Sequence, residues 1–525
     1  MKYPRKLISL ALGIIASTLC ADSAQSYKAE NQWTADLGNG FYKNPVLIGG
    51  WGDPTAVKVG EDYYMAYSPG NQIMFWHSRD LVNWKPIARH SLGPEFETIW
   101  AIDMVYFDGK FHVYMPIGEY PGKTEAEKNH RYFKSVWVIT AEHPTGEWSS
   151  PIRVDRHYNP DPFYTGIDPG FIQTPEGEKY LYVDNGFMMP LSDDGLSSTA
   201  MATVVYEGWD YPDDWVVQCK CLESPKLFYK DGYYYIVSAM GGTSGPATAH
   251  MGTVARATSP IGPWEESPFN PLVHTYSEDE PWWHQGHPTI LEGPEGNWYT
   301  LYPARPAWYT GMGKQTILMP LEWTEDGWPV VSNGFKPWEI LPKPKGGENS
   351  GHGMTLSDDF EGELGIQWNV PDPYIDLLKS GGGKLVMTAS GDDSKSATQI
   401  VVNATNHSFE ATVEVKIEGD VTAGLVFGNH EGLRTNGKTI SYNSDEDWRI
   451  RDSDIEVESR DRIFLKIRNY RQNLSFYGSL DGENWTHFQN GVRSGDYRIR
   501  LFAAGEGKAV FKNFRYLGLE SMFSE

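Results

Sequence analysis

The chain has 525 residues, with 45 basic against 69 acidic side chains and a formal net charge of −24. That length exceeds what one ordinary hydrophobic core organises and predicts two or more domains. The acidic balance excludes nucleic acid as a natural partner, since such binding rests on basic contacts to phosphate.

The chain begins with Lys2, Arg5 and Lys6, an apolar run from Leu7 to Leu19, and small residues around Ala21 to Ala24. This pattern predicts a signal peptide over residues 1–25, removed on export to a secreted or periplasmic location. The apolar run is too short for a membrane span and no other is long enough, so no stable membrane insertion is expected. Leu19 stands before Cys20 where a lipoprotein cleavage site wants a small residue, which argues against a lipid anchor.

From residue 40 to 340 five stretches repeat one another. Asp53 precedes GEDYYMAY, Asp103 precedes FDGKFHVYM, Asp168 precedes PEGEKYLYV, Glu223 precedes KDGYYYIVS, and His287 precedes PEGNWYTLY. Each polar residue stands 8 to 12 residues ahead of the strand that follows the turn, and the repeats are 50, 65, 55 and 64 residues apart. Several short strands per unit at that period predict a five-bladed β-propeller. Polar turns closing on Trp84, Trp148 and Trp264 mark recurring blade ends. Asp161-Pro162 is out of step with the repeat and reads as a turn. Cys219 and Cys221 are too close on a strand for an unstrained disulfide, so two ordinary thiols are expected.

Residues 341–354 (LPKPKGGENSGHG and onward) fit neither a strand nor a helix pattern and read as a linker. Beyond it, residues 355–525 alternate apolar and polar positions in segments such as SFEATVEVKIE and RIFLKIRN. The whole chain is therefore expected to be all-β, with the propeller followed by a β-sandwich of jelly-roll or concanavalin-like type.

A propeller brings corresponding residues of its blades to one axis, which gathers Asp53, Asp103, Asp168, Glu223 and His287. Pro54, Pro169 and Pro288 follow three of them directly, and Pro225 follows Glu223 after Ser224. Proline is tolerated at strand starts, so these residues are expected at one mouth of the channel. Converging carboxylates suit glycosidic hydrolysis with inversion: one carboxylic acid protonates the leaving oxygen, and one carboxylate activates water on the opposite face. A further carboxylate nearby would keep the acid protonated by like-charge repulsion.

FYKNPVLIGGWGDPTAVKVGEDYYMAYS, HSRDLVNW, IWAIDMVYFDGKFHVYM, GIDPGFI, LESPKLFYKDGYYYIVSA, GHPTI and MPLEWTEDGWPVV, in that order, resemble glycoside hydrolase family 43. The resemblance implies a propeller that hydrolyses arabinose- or xylose-containing glycans with inversion. It casts Asp53 as general base, Asp168 as modulator of the acid's pKa and Glu223 as general acid. His287 corresponds to an axial histidine that binds substrate or stands near a cation or water; no cofactor is required, and Ca²⁺ at the axis is left open. Asp103 takes a structural or substrate-hydroxyl role.

There are departures. Trp100-Ala101-Ile102 stands where family members read Trp-Ala-Pro, and Lys314 stands where an Arg is usual. Lys cannot reproduce a bidentate Arg contact; Arg305 is a candidate to replace it, or a plain surface residue. Trp51, Trp76 and Trp100 are candidate stacking platforms for sugar, with Phe187, Trp282, Trp283 and Trp308 as further candidates. His284 lies near His287, but no third His or Cys stands at zinc-ligand spacing. The expected function is a secreted inverting glycosidase removing terminal pentose, β-xylosidase or α-L-arabinofuranosidase in type, with an oligosaccharide or polysaccharide partner. The alternatives are a same-fold hydrolase of another glycan such as galactan side chains, and a non-catalytic carbohydrate-binding propeller.

Overall fold

The computed structural model describes residues 33–93, 96, 99–118, 134–155, 166–349, 351–428, 430–443, 454–457, 462–490, 496–521 and 523. The expected signal peptide and the out-of-step Asp161-Pro162 lie outside them.

Five antiparallel sheets follow one another along the chain. Their innermost strands are Thr55–Val59, Asp103–Phe107, Gly170–Gln173, Glu223–Lys230 and Thr289–Glu292. Each packs against the next and the fifth returns to the first, so the blades close into a ring. The repeats build blades for local reasons. In FDGK and KDGY, Asp108 and Gly109 (φ 49° and 75°) and Asp231 and Gly232 (φ 50° and 89°) carry positive φ. Two successive positive φ values define the tight turn whose twist matches a hairpin, pairing Phe107 with Lys110 and Lys230 with Tyr233.

The aromatic content is spent between blades. Phe107 of the second blade stacks on Phe171 of the third at 4.7 Å, and Tyr64 of the first meets Phe111 of the second edge-on at 4.9 Å. The blade-end Trp148 stacks on Phe75 of the preceding blade at 5.0 Å, and Trp264 meets Tyr182 of its preceding blade. One buried ion pair crosses the ring. Lys226 Nζ donates to Asp103 Oδ1 (2.9 Å), Ile102 O (2.7 Å) and Pro169 O (3.1 Å). Asp103 also accepts from Thr55 Oγ1 (3.0 Å) and from the Phe171 amide (2.9 Å). Four blades are thereby tied through two side chains.

Residues 355 onward form an eleven-stranded sheet that fits a β-sandwich. Its long strands Ser408–Phe427 and Arg498–Glu520 pair along most of their length. Alternating burial along Thr398–Asn403 and Ile463–Tyr470 gives the sheet one apolar face. The segment between propeller and sandwich is pinned to the first blade: Lys343 Nζ bridges Asp36 (2.5 Å) and Asp80 (2.8 Å), and Asn349 accepts from the Arg79 amide. The sandwich contacts the propeller directly, with Gln72 donating to Val370 O and Asn403 to Gly49 O.

The expectation of two thiols at Cys219 and Cys221 is corrected: they form a disulfide, with Cα atoms 5.2 Å apart. The premise of a strand fails there, because residues 205–222 carry no ladder. Cys221 has a φ of 41°, so the backbone turns between the two cysteines instead of extending.

Removing one partner of a buried ion pair leaves an uncompensated charge, which typically costs about 3–5 kcal/mol. Lys226→Met is therefore expected to lower the free energy of unfolding, measured by denaturant titration, by an amount of that order. A change below about 1 kcal/mol, the scale of an exposed pair, would contradict the strut assignment.

Candidate active site

Asp53, Asp168, Ser224 and His287 share one backbone device. Each precedes a proline, and each has a left-handed φ, at 58°, 53°, 53° and 54°. A residue before proline ordinarily stays extended, so this conformation is strained and held by its surroundings. Three of the turns sit two residues ahead of an innermost strand. Glu223 is instead the first residue of its strand, and a bulge between Glu223 and Lys226 absorbs the Ser224-Pro225 turn.

These turns bring the expected residues together. His287 Nδ1 lies 3.5 Å from Asp53 Oδ1 and 4.0 Å from Asp168 Oδ2. Lys314 Nζ donates to Asp53 Oδ1 at 2.5 Å. Burial raises the Asp53 pKa, but the Lys314 ammonium, then His287, outweigh it and hold the carboxyl below its ordinary range. Asp168 moves the other way. Burial pushes it well above the carboxylate range, and the charges of Glu223, Asp53 and Asp184 add to that push against Lys226. Neither histidine at the site carries charge at neutral pH: burial lowers His287 and His250 to about 3 each.

Lys314 reaches Asp53 by passing over a glycine. A Cβ on Gly52 would stand 2.9 Å from Lys314 Cδ, closer than real side chains approach. The residue that departs from the usual Arg is thus seated in a groove made for its stem. Its ion pair with Asp53, and the parts played by His250, Lys226 and Asp184, are not visible as motifs. His250 lies on no repeat position, and only the repeat singled out residues for the axis.

The other expected residues fare differently. Asp103 is at the ring, but its carboxylate oxygens are engaged by Lys226, Thr55 and Phe171, which makes it a strut. Trp51 and Trp76 are corrected as sugar platforms: they are 4% and 1% exposed and pack edge-on against each other at 5.4 Å. Short aromatic strands in a propeller need such rings between sheets, and that demand claims both. Trp100 is half-buried with the Lys134 ammonium 4.6 Å from its ring centroid. Arg305 is not a plain surface residue. It is half-buried, it feels the Asp53 charge, and its Nε has no hydrogen-bond partner.

Among the described residues no three His, Cys, Asp or Glu side chains are grouped to hold a metal. His287 Nε2 is buried without a hydrogen-bond partner, but the positive charges of Lys314 and Lys226 both act on this ring. Calcium takes about six to eight oxygen ligands. The residues present do not fit a protein-built cage for it, and no step below runs through a cation.

Residues 42–329 match the model of glycosyl hydrolases family 43, more than half of the chain. The chain belongs to glycosyl hydrolase family 43. Among curated family 43 relatives, it is 31% identical over 366 residues to the non-reducing end alpha-L-arabinofuranosidase BoGH43B of Bacteroides ovatus, covering 64% of this chain and 62% of that protein. It is 30% identical over 513 residues to a putative beta-xylosidase of Escherichia coli, covering 84% and 90%. Against the first of these, then, the match spans about three fifths of the relative's length. The crystal structure of the GH43 BlXynB protein from Bacillus licheniformis superposes with a TM-score of 0.77 at 26% identity, covering 91% of this chain and all of that one.

Gly52→Ala is expected to displace the Lys314 stem and reproduce the kinetic defect of Lys314→Met in this family 43 chain. Because both act on one contact, the double variant should be little worse than either single one. Additive losses in kcat/KM on a nitrophenyl pentoside would show that the two residues act separately.

Proposed function

We propose that this protein is an exported glycoside hydrolase that removes terminal pentose from oligosaccharides with inversion, β-xylosidase or α-L-arabinofuranosidase in type. The observation that carries the reading is the opposed tuning of its two axial aspartates. Asp53, held ionised by Lys314, has the character of a base that takes a proton from water. Asp168 is buried and Glu223, half-buried beside it, adds like charge that disfavours double ionisation, so the two together retain a proton at working pH. Glu223 delivers that proton to the glycosidic oxygen, and Asp168 tunes the delivery. Water activated by Asp53 attacks the anomeric carbon from the other face as the glycosidic bond breaks.

His287 positions the base through Nδ1 and turns its unpartnered Nε2 to a substrate hydroxyl or water. Arg305, close enough to sense Asp53, supplies a guanidinium for sugar hydroxyls in place of the residue that Lys314 has replaced. The pentose class is supported by the names of the relatives above. Export is supported by the basic and apolar start of the sequence and by the disulfide, a bond that persists in oxidising compartments.

Glu223→Gln keeps shape and hydrogen bonding but removes the transferable proton. General acid catalysis contributes about 10²–10⁴-fold, so kcat on a natural oligosaccharide should fall by that order while ligand binding survives. Activated nitrophenyl glycosides should suffer less, because their leaving groups need little protonation. Asp53→Asn should damage both substrate types alike. Full hydrolysis of a natural oligosaccharide by Glu223→Gln would remove Glu223 as the acid, whereas a wild type that binds the oligosaccharide without cleaving it would favour a carbohydrate-binding role for the axis.

A further inference from the structure

Trp308 is 68% exposed, the most solvent-open tryptophan among the described residues, yet it is not loose. Its φ is 66°, a backbone state that a bulky side chain avoids unless its surroundings impose it. The Trp283 ring meets it at 5.5 Å and 61°, so the two indoles form an open corner. Trp283 is itself fixed, through Nε1 donating to Glu278 O (3.1 Å). The sandwich fixes the other side. Gln472 Nε2 donates to Trp308 O at 2.9 Å, and His407 packs edge-on against the neighbouring Tyr309 at 5.0 Å. Gln472 also has a left-handed φ, 70°, in the hairpin turn that presents it.

The corner lies beside the axis. Trp283 is the register partner of Arg305, and Arg305 senses the charge of Asp53. A strained, exposed tryptophan clamped from two domains, against the register partner of Arg305, is not needed for either core. We infer that Trp308 and Trp283 form a distal sugar subsite, on which a pyranose ring of the departing oligosaccharide stacks. The occupant follows from the surface: an aromatic corner favours the apolar face of an uncharged sugar ring. A chain with 24 excess negative charges does not attract an anion. The sandwich thereby takes part in substrate selection by holding Trp308 in place, without contributing to bond cleavage. This inference rests on the glycosidase reading above.

The test compares kcat/KM on a linear pentose tetrasaccharide with that on the disaccharide of the same linkage. Stacking on an aromatic ring is worth about 0.5–1.5 kcal/mol beyond area burial, so Trp308→Ala should lower the tetrasaccharide-to-disaccharide ratio about 3- to 10-fold, through KM. Trp308→Phe should restore most of the ratio, and Gln472→Ala should lower it less than Trp308→Ala does. Ratios equal to wild type in all three variants would overturn the subsite while leaving the glycosidase reading intact. If Trp308→Ala proves unstable, Gln472→Ala decides: a lowered ratio supports the subsite and an unchanged ratio overturns it. A wild-type protein that cleaves neither oligosaccharide would overturn the functional reading itself.

Discussion

Closing five sheets into a ring forces residues that begin or just precede the five innermost strands toward one axis. Four of the five residues delivered there carry carboxyl groups, and such a concentration of like charge cannot stand uncompensated. The structure answers with two lysines placed for different ends. Lys226 neutralises Asp103 and takes carbonyls from two blades, so one carboxylate becomes part of the scaffold. Lys314 neutralises Asp53 from the last blade. What remains is Asp168, which burial and the like charge of Glu223 push toward its neutral form against the pull of Lys226, and from that asymmetry with Asp53 the proposed chemistry follows.

The same constraint explains the backbone. Left-handed residues before proline are uncommon, and here they occur at Asp53, Asp168, Ser224 and His287, at four of the five blade entries; the second blade enters at Asp103 without one. A regular strand entering the ring would alternate its side chains between faces; a tight turn lets one chosen residue stand ahead of the strand. The strain is carried by the packed blades around it.

Much of this was legible in the sequence. The period of the repeats, the Asp-Gly hairpins and the prolines in step with them led to the five-bladed ring and to the residues at its axis. What was not legible depends on contacts between blades. Trp51 and Trp76 look like platforms because they neighbour ring residues or polar turns, but nothing in a linear pattern tells inter-blade packing from a sugar face. Lys314 reads as a mere departure until Gly52, far from it along the chain, is seen to leave room for its stem. Cys219 and Cys221 misled because strand geometry was assumed for a stretch that turns. His250 occupies no repeat position and gave no signal at all.

The sandwich is more than an appendage in this account. It touches the Gly49 loop that leads into Asp53 and the segment that carries Trp308, so its stability and the shape of the site are linked. The central claim, however, concerns the axis: a base held ionised on one side of the glycosidic bond and a protonated acidic pair on the other. The most direct measurement is the anomeric configuration of the sugar first released by the wild-type protein, followed by proton NMR before mutarotation sets in. The account predicts the inverted anomer from the outset. A first product of retained configuration would mean that a carboxylate attacks the sugar itself, and the roles given to Asp53 and Glu223 would be contradicted.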